Sequence, residues 1–517
     1  MRGISAQLAP ARKSWLMALL PGLLITCLHE PSIARSAEPV KEQVLFAFDD
    51  YALPLQNGVR LKLNGYRSSG EQGDSHVAVP VGPPGSADGR GVIYYGTVLE
   101  VNGELWMWYL GMGDQDEGRF YRICFAKSKD GKTWQKPELG LVEYGGNRRN
   151  NLVDLDQGKF SVAGCVVYYD PQDSDANRRF KMIFTGTKYP GLLFGVAYSA
   201  DGLRWKESAG NPRGAVKFEP QGGIQWNGAY YVNGQGGRHW APDGWIRTLN
   251  THISYDFENW TESTVLGFRR DTLPPRPVGH TGGVDGEQVH LGAGLWNRGN
   301  VVVGFYGQWH GHPTNDRRWV PMDIGLVVSH DALHFREPIP DFRIIQAAEN
   351  TSSWLPSGKA TSLERAPALM QGQGFANIGD ETLFWYSVWV VPTAGLRVAR
   401  WDRDRLGYLQ PFINNHSPHV VSAPIETGGK PVTVELNVSG LGRNSGVKVS
   451  VLDEKLRELP GYSAGDCTGP QQSGLAQRAV WGDRRQVLAS GPIRIRVDFG
   501  GVRPEDLRLF AIYVKPD

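Results

Sequence analysis

A short turn that recurs four times constrains this chain more than any other feature. Ser-x-Asp is followed, four residues after the Asp, by an aromatic: Ser128/Asp130/Trp134, Ser199/Asp201/Trp205, Ser254/Asp256/Trp260 and Ser329/Asp331/Phe335. The serines lie 71, 55 and 75 residues apart. Ser and Asp side chains bond nearby backbone N–H groups and hold a tight turn, and the aromatic opens the outgoing strand. These aspartates are therefore read as structural, not catalytic. Two strand-like runs precede each copy, for example YYGTVLEV and GELWMWYLG before Ser128. A fifth set (ALMQGQGFANI, ETLFWYSVW, LRVARWD, LGYLQPF) repeats the pattern with a degenerate turn. Four-stranded units repeated in this way are blades that must cover one another's faces, so five sets predict a five-bladed β-propeller. The run VLFAFDD at 44–50 is read as a strand closing the ring. Beyond Pro411 the turn disappears and period-2 strands (PVTVELNV, VKVSVLD, PIRIRVDF, LRLFAIYVK) predict a β-sandwich. The expected fold is all-β: a propeller over 44–414 followed by a C-terminal sandwich over 415–517.

Composition agrees with many short strands and tight turns, since 65 of 517 residues are Gly and 17 are Trp, with no every-third-residue glycine period that would suggest collagen. Residues 1–37 read as an export signal: Arg2, Arg12 and Lys13, then an apolar stretch from Trp15 to Leu28, then small residues around Ala34–Ala37. That stretch is too short for a membrane span and Pro21-Gly22 interrupts it. Without residues 1–37 the chain has 51 basic and 52 acidic residues, so no basic field argues for nucleic acid. Cys27 lies in a poor match to a lipoprotein cleavage box, and the expectation is a secreted or periplasmic protein without a lipid anchor. Cys124, Cys165 and Cys467 lack metal spacing. Cys124 and Cys165 suit either buried thiols or a disulfide.

A five-bladed propeller followed by a sandwich, with phrases such as SKDGKTWQKPELGLVEYGG, resembles glycoside hydrolase family 32 and, more loosely, families 43, 68, 117 and 130. The resemblance spans roughly 44–517 and implies a carbohydrate substrate, a carboxylate pair and no cofactor. The invertase-like W-M-N-D-P-N-G is absent, and Asp49-Asp50 is its nearest counterpart. Asp170-Pro171 echoes an Arg-Asp-Pro motif but opens the polar turn DPQDSDANRR. The acid of the third blade corresponds to Glu219.

Inner strands of a propeller converge on a channel, and their starting ends line one mouth. Glycosidic hydrolysis needs two carboxylates facing the scissile bond, so the catalytic candidates are the acids at inner-strand starts: Asp50, Glu219 and Glu287. Asp49-Asp50 equally suits a strand end, and Glu219, before Pro220, an exposed loop. Asp285 and His290 flank Glu287 in VDGEQVHLGAG. Six of the twelve histidines fall within 239–312, and His310 and His312 suit either a metal or sugar hydroxyls. No metal is assigned. Sugar rings stack on aromatic planes, which nominates Trp296 among Trp226, Trp240 and Trp309. Amides bond hydroxyls, which nominates Gln371 and Gln373. The substrate-binding set is therefore Asp285, His290, Gln371, Gln373, Trp296 and His310. No nucleophile elbow, phosphate loop, dinucleotide fingerprint or H-E-x-x-H is present. The leading expectation is an exported glycoside hydrolase. Its alternatives are a non-catalytic sugar-binding propeller and a lyase that uses the histidines.

Overall fold

The repeated strand sets become sheets because each alternating run can bury an apolar face only against the next set. The computed structural model describes residues 42–67, 76–117, 120–214, 218–237, 246–270, 287–310, 320–347, 366, 368–389, 394–413 and 415–516. Five inner strands, Gly91–Val101, Val162–Tyr169, Phe218–Trp226, Gln288–Asn297 and Leu369–Ile378, each begin a blade. Each packs on the next and the fifth returns to the first, so the fold is a five-bladed β-propeller. Apolar side chains fill the gaps between neighbouring blades. Trp108, Phe125 and Phe180 lie between the first two, and Tyr94, Met107 and Trp385 between the fifth and the first.

The Ser-x-Asp turns do what their chemistry predicts. Asp130 Oδ1 accepts from the backbone of Lys132 (2.9 Å) and Thr133 (2.8 Å), and Asp256 Oδ1 accepts from Glu258 (2.8 Å) and Asn259 (2.7 Å). The residue after the Asp has positive φ in all four copies, including the non-glycines Phe257 (64°) and Ala332 (58°). The turn also engages the preceding blade. Trp108 Nε1 donates to Gly202 O (2.8 Å) and Trp385 Nε1 to Gly131 O (2.8 Å). One blade's indole thus seats on the next blade's turn.

Around the channel the inner strands approach so closely that side chains are excluded. A Cβ on Gly222 would lie 1.8 Å from Ala293 O, and one on Gly294 would lie 2.1 Å from Gly372 O. All five inner strands shift register against their partners near this level, which brings the backbones together.

The ends of the chain depart from the expected order. Gln43–Phe46 does not close the ring: it pairs antiparallel with Arg508–Pro516 in the sandwich. The closing strand is His76–Val79, on the outer edge of the fifth blade beside Leu396–Asp402. Gly407–Pro411, expected in the fifth blade, pairs instead with Val59–Leu63 in the same sandwich sheet. The opposite sheet takes Leu55–Asn57 beside His419–Val421. The C-terminal sandwich is thus completed by strands from before the propeller. Cys124 and Cys165 are buried free thiols, so the disulfide alternative is excluded. Burial pushes the Cys165 thiol up to about 12.

Sequence explains the degenerate fifth turn only in this setting. Its Asp404 pairs with Arg298 of the fourth blade and accepts from Tyr513 Oη (2.8 Å) of the sandwich and Asn377 Nδ2 (3.0 Å). Burial opposes ionisation of Asp404, but the Arg298 guanidinium and these donors hold its pKa below the ordinary value. Asp404→Ala would leave the half-buried Arg298 without its partner and strip the acceptor from Tyr513 and Asn377, and is expected to cost about 3 kcal/mol, measured by urea unfolding. At the repeated turns, Asp256→Ala is expected to cost about 1 kcal/mol near neutral pH, a low figure because the carboxylate is exposed. Burial opposes the charge on Asp256, yet backbone and side-chain donors lower its pKa to about 2. The folded pKa lies below the unfolded one, so the contribution is present above the unfolded value and lost as pH falls toward 2. The gap in Tm between wild type and Asp256→Ala should close over that acid range.

Candidate functional site at the channel mouth

Register separates the two faces of the propeller. In the fourth blade Gln288 pairs with Trp309 and Asn297 with Val302, while Val302 also pairs with Ser329. The strand starts therefore lie at one end, and the Ser-x-Asp turn lies at the other, about 20 Å away at ~3.3 Å per residue. This decides the fate of several candidates. Asp49 is buried against His330 Nε2 (3.0 Å) and Arg336 (2.9 Å), and Asp50 pairs with Arg336 (2.5 Å). Asp50 thus sits at the turn end, apart from Glu287, and cannot share a scissile bond with it. Trp296 also lies at that end, stacked on Phe375 with centroids 5.2 Å apart and under Arg298, as interblade packing. Asp285, His312 and Trp240 lie outside the described residues.

The structure brings Glu287 and His310 together. Glu287 immediately precedes the inner strand Gln288–Asn297, and His310 immediately follows the second strand Val302–Trp309. Paired antiparallel strands place these two ends side by side, with His310 Nδ1 2.8 Å from Glu287 Oε2. The other ring nitrogen lies 3.0 Å from Asp323 Oδ2 on the third strand. Asp323 is fixed in turn by the Ala347 backbone N–H (2.6 Å) and by Arg343 Nε (3.2 Å) of the fourth strand. Arg270, fully enclosed, reaches Glu287 Oε2 (2.8 Å), pairs with Asp341, and donates to the carbonyls of Gln288 (3.2 Å) and Trp309 (3.1 Å). Burial opposes the charge on Arg270, but Tyr306, Glu287 and Asp341 raise its pKa above the ordinary value. Behind it burial raises the pKa of Glu337, which accepts from Tyr306. Glu287, His310 and Asp341 offer ligand atoms within 4.8 Å of one another. The Arg270 guanidinium already bridges the two carboxylates, so the cation of this cluster is the arginine.

Glu219, the second residue of the third inner strand, is half-buried at the same mouth. Gln235 Nε2 donates to its Oε2 (3.2 Å), while Gln235 Oε1 accepts from the Leu291 backbone N–H (3.3 Å). One amide therefore ties the Glu219 carboxylate to the strand that Glu287 begins. His290 is buried between Trp309 and Trp389, at centroid distances of 5.6 and 5.7 Å. Arg247 lies over the Trp309 ring at 4.2 Å. His252, by contrast, is a core histidine among Phe194 and Phe218, and burial lowers its pKa.

The two glutamines link the inner strands below the mouth. Gln373 Oε1 accepts from Gly223 N (3.1 Å) and Leu295 N (2.8 Å), and its Nε2 donates to Leu295 O (2.8 Å). Gln371 Nε2 donates to His290 O (2.7 Å) and Gly292 O (2.8 Å), while Gln221 Nε2 donates to Gln371 O (2.7 Å). These amides satisfy backbone groups on the unpaired edges of the third and fourth inner strands, and they tie the third and fourth blades to the fifth. Gln373 is a staple, not a surface for hydroxyls.

Arg270, Asp323 and Asp341 were not legible as site residues. Asp323 carried a signal, a lone acid inside the apolar run PMDIGLVV, whose burial demands a partner. Arg270 and Asp341 stand in polar connections and carried none.

No family model matches this chain, and no curated protein does. The solved structures it resembles include several named as glycoside hydrolases. One is a glycosyl hydrolase from Bacteroides ovatus, at 14% identity and TM-score 0.43, over 69% of this chain and 97% of that one. A second comes from family 130, described as mannoside phosphorylases containing hydrolases that target β-1,2 mannosidic linkages in Candida mannan. It matches at 13% identity and TM-score 0.41, over 69% of this chain and 96% of that one. A family 32 β-fructofuranosidase from Bombyx mori aligns over 86% of this chain and 94% of its own, at 11% identity and TM-score 0.37. At these identities the likeness is one of fold.

The staple reading of Gln373 has a direct test. Gln373→Ala removes partners from two buried N–H groups and one carbonyl and is expected to destabilise the protein by about 3 kcal/mol, read as a lower urea midpoint with unchanged slope.

Proposed function

We propose that this protein is an exported glycoside hydrolase that acts on an oligo- or polysaccharide at the propeller mouth. The observation that supports this reading is that two carboxylates stand at the starting ends of adjacent inner strands: Glu219, half-buried and bonded to Gln235, which also accepts from the Leu291 backbone, and Glu287, buried against Arg270 and His310. Their described surroundings differ. A guanidinium beside Glu287 favours its charged form, while the Gln235 amide holds the Glu219 carboxylate. On this reading Glu219 is the proton donor to the leaving oxygen, and Glu287 is the carboxylate that faces the sugar carbon or its attacking water. Because Gln221, Gln371 and Gln373 knit the inner strands together below, the sugar is held at the mouth and does not thread the channel. Export rests on the basic and apolar pattern of residues 1–37.

A second reading, a non-catalytic sugar-binding propeller, is favoured by one observation: the Glu287 carboxylate is already engaged by Arg270 and His310. A polysaccharide panel assayed with wild type, Glu219→Gln and Glu287→Gln separates the two. Hydrolysis predicts reducing-end release that falls about 100-fold or more in both variants, with binding retained. Binding by all three proteins without product would establish the second reading, and release unchanged in both variants would reject this carboxylate pair.

A further inference from the structure

We infer that Glu287, His310 and Asp323 form a hydrogen-bonded chain across the fourth blade, in which His310 is the positioning residue for Glu287. The inference rests on the reading of Glu287 given above, but its geometry stands without it. His310 is the only group of the three that faces both others, with Nδ1 at 2.8 Å from Glu287 and Nε2 at 3.0 Å from Asp323. Ionised carboxylates only accept hydrogen bonds. Each of the two contacts therefore needs a proton, and the chain holds two.

Neighbouring groups decide where those protons reside. Among the described residues, the charged groups around the chain are Arg270 and Asp341 at Glu287, and Arg343 at Asp323. Glu337 lies behind Arg270, hydrogen-bonded to the backbone N–H of Asp341 (3.0 Å). Asp323 also accepts the Ala347 N–H at 2.6 Å, and a carboxylate with so many donors is best served by remaining ionised. Glu287, beside Arg270, is in the same position. Both protons then belong to the imidazole, which acts as a fixed two-ended donor. Each member also comes from a different part of the blade: the start of the first strand, the end of the second, and the third. A buried ring held at both ends cannot turn, so the Glu287 carboxylate it grips is held in one orientation at the mouth.

Two measurements on the full-length protein test this. The first needs no substrate: nitrogen NMR of histidine-labelled protein near about pH 7, with His310 assigned by its absence in His310→Gln. Both ring nitrogens should carry hydrogen, and Asp323→Asn should shift the resonance of Nε2. A ring protonated at only one nitrogen would overturn the inference. The second compares Asp323→Asn with wild type on any saccharide found active in the panel. The expected result is kcat lowered about 10- to 100-fold, the scale for losing an outer partner that orients a reacting group, with KM little changed and an altered pH profile. Unchanged kcat and pH profile in a folded Asp323→Asn would also overturn it. If the NMR result holds while Glu287→Gln leaves activity intact, the chain exists but the catalytic reading of Glu287 fails.

Discussion

The closeness of the five inner strands governs the rest of this structure. At the level of Gly222 and Gly294 there is no space for a Cβ, because a carbonyl of the next blade lies about 2 Å from where it would be. Strands at that separation cannot keep regular ladders, and each shifts register against its partner. The second, third and fourth inner strands are also edge strands of their sheets, so their outward N–H and C=O groups have no strand partner in a buried place, where each would be costly. Asn233, Gln371 and Gln373 supply those partners from side chains, and Thr97 does so between the first and second blades. Glycine content, strand irregularity and buried amides are thus three consequences of one constraint.

That constraint also sets where chemistry can occur. Stapled amides and backbone occupy the inner strands below their first residues, so groups able to meet a ligand are confined to strand starts and the connections above them. Blade four concentrates its charge there, with Glu287, His310, Asp323 and Arg270 enclosed together. The opposite end is committed to assembly: Ser-x-Asp turns seat on neighbouring blades, and Asp404 bolts blades and sandwich together through Arg298 and Tyr513. The same residue types serve different purposes at the two ends, because at the turn end they are committed to contacts between blades and sandwich.

Local chemistry was the legible part of the sequence. Ser-x-Asp and its aromatic define a turn by bonds that reach two or three residues, so four blades could be counted from them, and the fifth from its strands. Alternation within strands likewise marked the sandwich. Glu219 and Glu287 were found by their position at strand starts, which is also a local property. Asp50 was misplaced for a specific reason: nothing in VLFAFDD records that its strand pairs with Arg508–Pro516, more than 450 residues later. Gln373 and Trp296 were misread because an amide or an indole looks the same whether it faces a ligand or a neighbouring strand.

What the sequence determined by itself is therefore whatever depends on neighbours along the chain: an all-β class, the repeated turn, five blades, and two acids at strand starts. Only the tertiary structure decided which ends meet. It placed Gln43–Phe46 in the sandwich, used His76–Val79 to close the ring, and joined His310 to Glu287 and Asp323 with Arg270 alongside. The physical reason is that pairing between distant strands and the charge balance of a buried cluster depend on burial and geometry, which no local window of residues contains.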